Sequence, residues 1–115
     1  MKYLKTFESE NQLKSGYYVA CEDNYDYSSE KYYNSERITF LKNFISNNVG
    51  QFTRRNYNND VGEWTYMIKY DYIPKELQQH FTKSGNRYFR EYQILFYSKN
   101  KEDVEEYLAS KKYNL

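Results

Sequence analysis

One cysteine, one histidine, one proline and four glycines are spread over 115 residues. The lone Cys21 excludes an internal disulfide, and a reducing compartment is the expected setting. Cys21 and His80 cannot by themselves supply the three or four ligands of a transition-metal site. Triad-type catalysis needs a base beside a nucleophile. His80 is the only histidine, and no glycine-rich elbow surrounds any serine. Gly16, Gly50, Gly62 and Gly85 stand far apart, so there is no phosphate-cradling loop. No apolar run approaches the roughly 18 residues that a membrane span requires. The opening Met1-Lys2-Tyr3-Leu4-Lys5-Thr6-Phe7 has no apolar core of a secretory signal. An excess of charge is also missing: 17 basic residues face 16 acidic ones, formally +1. That balance argues against a non-specific nucleic-acid or membrane binder. The expectation is a cytoplasmic protein that is not an enzyme and carries no cofactor.

What the chain has is tyrosine, 16 of them, within an aromatic content of 21%. Mean hydropathy is low, at -1.11, but tyrosine counts as polar on such scales while burying a large ring. A disordered chain would be poor in aromatics. Residues 1–115 are expected to form a single domain, one core burying ~65% of the unfolded surface. Residues 1–15 read as an arm or short helix.

Periodicity supplies the elements. Tyr17-Tyr18-Val19-Ala20-Cys21 reads as a strand. Ser35 is placed to cap a helix over 36–49, whose stripe is Ile38, Leu41, Ile45, Val49 and Phe52. Gly50 is the expected helix end, and 56–62 is turn chemistry. Glu63 to Tyr72 alternates, with Trp64, Tyr66, Ile68, Tyr70 and Tyr72 on one side. Pro74 opens a short helical turn through Phe81. Arg87 to Ser98 reads as one long strand. Asn100 and Asp103 resemble a capping box ahead of a final helix near 101–112, with Val104, Tyr107 and Leu108 as its stripe.

The expected fold class is α+β. A three-stranded, mainly antiparallel sheet in the order β-α-β-β-α would carry both helices on one face, like a split βαβ unit. Trp64, Ile38, Leu41, Ile45, Leu95 and Leu108 are the expected core.

Two surfaces suggest function. Glu22, Asp23, Tyr25, Asp26, Tyr27, Glu30, Tyr32 and Tyr33 interleave acids with aromatics in one loop. The acids do not follow the calcium-loop pattern: from Asp23 the sixth position is Ser28 and the twelfth is Asn34. Tyrosines among acids instead suit docking on a basic protein partner. The second surface is a nucleic-acid face of Tyr17, Arg87, Tyr88, Arg90 and Tyr92. The β-α-β-β-α order resembles an RNA-recognition fold without its last strand, and such folds stack bases on strand aromatics. Arg87-Tyr88-Phe89-Arg90-Glu91-Tyr92 lacks that fold's glycine and carries an acid.

The peptide Met1-Lys2-Tyr3-Leu4-Lys5-Thr6-Phe7-Glu8-Ser9-Glu10 resembles the starts of many short accessory proteins of tailed bacteriophages. The wealth of Tyr, Asn and Lys is similar to translation from an A/T-rich genome. The resemblance implies one of two roles. One is an anti-defence protein, such as an anti-CRISPR, acting as a non-enzymatic binder of a host nucleic-acid-handling enzyme. The other is an internal head protein whose N-terminal tag is cleaved after a glutamate, here Glu8 or Glu10. The expected function is the protein-binding inhibitor; an RNA- or nucleotide-binding module and a virion component are the alternatives.

Overall fold

A computed structural model describes residues 13–30 and 34–113. Its elements are β1 (Tyr18–Cys21), α1 (Ser35–Asn47), β2 (Gly50–Asn58), β3 (Glu63–Lys69), a 3-10 turn (Lys75–His80), β4 (Asn86–Arg90), β5 (Ile94–Ser98) and α2 (Lys101–Tyr113). The strands form a single five-stranded sheet in the order β4-β3-β2-β1-β5, every pair antiparallel. The α+β class stands, but the three-stranded sheet does not.

Two differences account for the extra strands. The first is β2, which lies where the sequence reads as a helix end and a turn. α1 stops at Asn47, capped at its start by Asn34, not Ser35: the Arg37 N–H donates to Asn34 Oδ1 at 2.9 Å. At its end Asn47 and Asn48 turn their amides back to the carbonyls of Asn43 and Phe44, at 2.7 and 2.8 Å. Those bonds satisfy carbonyls that the next turn would otherwise use. Gly50 then opens β2 instead of closing the helix. Phe52, which falls on the helical stripe, is a strand residue whose ring meets Tyr66.

The second difference is a break in the expected strand 87–98. Gln93 Oε1 accepts the Arg90 N–H at 2.8 Å across a one-turn 3-10 segment, Glu91–Gln93. Its halves, β4 and β5, occupy opposite edges of the sheet. Four residue steps from Arg90 to Ile94 reach at most ~14 Å, whereas four strand spacings in a flat sheet amount to ~19 Å. The sheet is therefore strongly coiled, which brings its two edges together at that connection.

α1 lies on the concave side. Its Ile38, Leu41, Phe44 and Ile45 share one core cluster with Val19, Cys21, Phe52, Tyr66, Ile68, Phe89 and Ile94, so all five strands contribute. α2 packs on the convex side chiefly against β1 and β5, through Val104, Tyr107 and Leu108 on Ala20 and Phe96. The helices thus cover opposite faces, not one. Neighbouring residues of β1 point to opposite faces, and a one-residue bulge against β5 keeps Ala20 opposite Phe96 and Cys21 opposite Ile94. Leu95, an expected core residue, is the residue the bulge skips and is only half-buried. Ile38, Leu41 and Ile45 are buried; Leu108 is half-buried, and Trp64 is 44% exposed. The expected arm or helix over 1–15 lies mostly outside the described residues. No described helix is long and apolar enough to cross a membrane.

Gly50 is required by close approach. A Cβ there would run into the Ile68 side chain and come within 2.9 Å of Tyr70 Cζ. Gly50→Ala is expected to destabilise the protein by about 1–3 kcal/mol through overpacking. The check is the denaturant midpoint, with Gly62→Asn as a mild control because only the Tyr57 hydroxyl lies near that position.

Candidate binding surface

The acid-rich loop is fastened to the body. Asp23 is buried, and its Oδ2 accepts from Arg87 Nη2 at 3.1 Å and from the Tyr27 hydroxyl at 2.6 Å. Arg87 also donates to the Tyr27 hydroxyl at 2.7 Å and to the His80 carbonyl at 2.9 Å. Lys42 on α1 donates to the carbonyls of Asp23 and Tyr25 at 2.8 and 2.7 Å. Asp23 and Tyr27 therefore hold the loop in place and do not face a partner. Removing one member of a buried ion pair typically costs about 3–5 kcal/mol, because the other charge is left uncompensated. Tyr25, Asp26 and Glu30 remain exposed, and Glu22 is half-buried. The Tyr25 hydroxyl donates to Glu30 Oε2 at 3.0 Å. Tyr32 and Tyr33 lie outside the described residues.

The proposed nucleic-acid residues do not share a face. Arg87 points to the concave side, into the Asp23 network. Tyr17 meets Tyr97 of β5. Tyr88 and Arg90 lie on the convex side, and Tyr92 projects from the β4–β5 connection. Arg90 is taken by Glu63, at 2.6 Å. What the convex face does assemble is a register row, Arg54, Met67 and Tyr88, across β2, β3 and β4, with Lys69 beside it.

The most prominent exposed cluster was not apparent from the sequence. Past the end of the α1 core, the β2–β3 hairpin carries Trp64 and Tyr57 opposite one another in register, with ring centroids 5.4 Å apart. The Arg55 guanidinium lies over the Trp64 ring at 4.4 Å. Trp64 and Tyr57 are 44% and 50% exposed. The ring contacts hold the two aromatics against one another. Sequence alternation correctly put Trp64 on the face of Tyr66 and Ile68. It could not show that α1 ends short of that row.

No known protein family, curated protein or solved structure matches this chain. Among the described residues no three His, Cys, Asp or Glu side chains gather where they could hold a metal ion. A shallow cavity of about 410 Å³ lies between Asn48, Tyr72 and α2, where Asp71 and Glu105 offset Lys101 and Lys112. Tyr72 projects there almost fully exposed, at a positive φ of 57° that is uncommon outside glycine.

Ionisation follows burial. Desolvation first, and then the Asp23 hydrogen bond, push the Tyr27 hydroxyl up to about 12. Burial likewise holds Tyr70, whose hydroxyl lies beside the Cys21 thiol, well above its ordinary value. Burial, and then the nearby Arg87 and Arg37, lower His80 below 6.5. A lowered histidine contributes stability that is present above the unfolded value. It is lost as the pH falls through the folded value, because the unfolded chain takes the proton first. The thermal midpoint should therefore fall between about pH 7 and pH 5, and His80→Gln should flatten that part of the profile. An unchanged slope in His80→Gln would assign the acid sensitivity to other groups.

Proposed function

We propose that this protein acts by stoichiometric binding to another protein and performs no chemistry of its own. The observation that carries the reading is the pre-packed Arg55–Trp64–Tyr57 cluster on the projecting hairpin. Trp, Tyr and Arg dominate the few interface positions that supply most binding energy. Here they already hold one another in place, so less side-chain entropy is lost on docking. Asp23, Tyr27 and Arg87, by contrast, are occupied in holding the loop at 22–30.

The opening peptide's resemblance to phage accessory proteins suggests the class of partner, a host nucleic-acid-handling enzyme that the bound protein would inhibit. Tyr25, Asp26 and Glu30 form a second exposed patch that could reach a basic surface of such a partner. A second reading rests on the convex row Arg54, Met67 and Tyr88, where an exposed ring beside a cation with no ion pair among the described residues suits single-stranded nucleic acid.

Affinity capture from a bacterial lysate, followed by titration of the captured protein, tests the proposal. Wild type is compared with Trp64→Ala/Tyr57→Ala and with Tyr25→Ala/Asp26→Lys. Asp23→Lys is avoided because it would place a cation at a buried position against Arg87. The hairpin variant should stay folded and lose about 30-fold or more in affinity, as expected for removal of a strong hot spot. Unchanged affinity in that variant would move the site elsewhere. Failure of wild type to retain any protein, together with salt-sensitive binding of an oligonucleotide, would favour the second reading.

A further inference from the structure

Among the described residues, the β1 side of β2 is paired for only part of its length. Tyr18 and Val19 pair with Gln51 and Gly50. The Phe52 N–H donates to the Tyr17 carbonyl and the Gly16 N–H to the Phe52 carbonyl, both at 2.8 Å. Beyond Phe52 no main-chain pairing on that side is found among the described residues, whereas the other side stays in register with β3 as far as Asn58↔Glu63. The open edge from Arg54 to Asn58 is ~17 Å long at the usual rise per residue.

The pleat identifies which groups face outward. Phe52 points its N–H and C=O to the β1 side. The bulge between Phe52 and Arg54 adds one residue. The Asn56 carbonyl faces β3, where Thr65 Oγ1 donates to it at 3.2 Å. By alternation, the N–H and C=O groups of Arg55 and Tyr57 turn to the open side. Such a row of unpaired groups is a template for another strand.

The flanking charge selects the occupant. Arg54 lies on the convex side and Arg55 on the concave side, both exposed and neither in an ion pair among the described residues. Glu63, the acid on the facing strand, is already paired with Arg90. A second copy adding antiparallel about Asn56 would set Arg55 opposite Tyr57 and Arg54 opposite Asn58, which leaves both arginines without a carboxylate. Asp60 at the hairpin tip confines the basic stretch to the arginine end. We infer that this edge takes an extended, acidic segment of a partner protein by strand addition, with carboxylates beside Arg54 and Arg55 and the main chain bonded to Arg55 and Tyr57. The inference rests on the protein-binding reading above and names its mode.

The test is an NMR titration of the full chain, ¹⁵N-labelled, at low salt, with a capped peptide of alternating Val and Glu about eight residues long. Three comparisons accompany it: the same peptide N-methylated at alternate residues, a Val–Lys peptide, and Arg54→Glu/Arg55→Glu protein with the Val–Glu peptide. The expected result is a shift and slowed exchange at the Arg55 and Tyr57 amides. Affinity should drop about tenfold or more in each of the three comparisons. Equal binding of the N-methylated or Val–Lys peptide, or no shift at millimolar peptide, would overturn the inference. So would oligothymidylate protecting the same amides, which would assign the edge to a polyanion. If the captured partner binds the arginine variant as tightly as wild type, the edge is excluded while the protein-binding reading stands. If wild type captures no partner, that reading fails first.

Discussion

Everything in this fold hangs on a four-residue strand that must serve two cores. Val19, Ala20 and Cys21 of β1 are all essentially inaccessible to solvent. Val19 and Cys21 face α1, while Ala20 faces α2. Such a strand cannot alternate apolar with polar residues, because neither face meets water. Its brevity shapes the rest of the molecule. β1 pairs with only the first two residues of β2, and beyond Phe52 the described residues give β2 no main-chain partner on that side. The β2–β3 hairpin therefore projects with one bare edge and an aromatic row beyond the reach of α1. The proposed binding surface follows from the short reach of β1.

The charged groups complement that arrangement. Asp23, Tyr27, Arg87 and Lys42 form a fixed network that ties the loop after β1 to α1 and β4. A buried carboxylate is tolerated because a guanidinium and a hydroxyl share its cost. On the hairpin the arginines are not consumed in this way. Opposite charges thus serve internal fastening at one end, while at the other Arg54 and Arg55 have no ion pair among the described residues, which a balanced net charge does not disclose.

Parts of this were legible in the sequence because they depend on local periodicity. β3 shows clean alternation since one of its faces is buried along Tyr66, Ile68 and Tyr70, and both helices carry a single stripe. β2 was hidden for a physical reason. Arg54-Arg55-Asn56-Tyr57-Asn58 has no buried face, so it shows no alternation, and Val49 and Phe52 happen to extend the helical spacing. The break between β4 and β5 depends on one amide, Gln93 on Arg90, inside an otherwise continuous aromatic run. Tyrosine adds its own ambiguity: Tyr66 and Tyr70 are core, whereas Tyr72 and Tyr92 face solvent. The acidic loop was visible as a cluster. That Asp23 belongs to the interior depends on Arg87, 64 positions away, which no local pattern reveals.

The central claim is that β2 offers an open edge beside a pre-formed aromatic cluster. Residue-resolved amide hydrogen exchange on the free protein tests it most directly. The account predicts slow exchange at Asn56, whose main chain faces β3, and fast exchange at Arg55 and Tyr57, whose N–H groups face outward. Equal, strong protection at all three amides would mean that another strand already occupies the edge, and the account would be wrong.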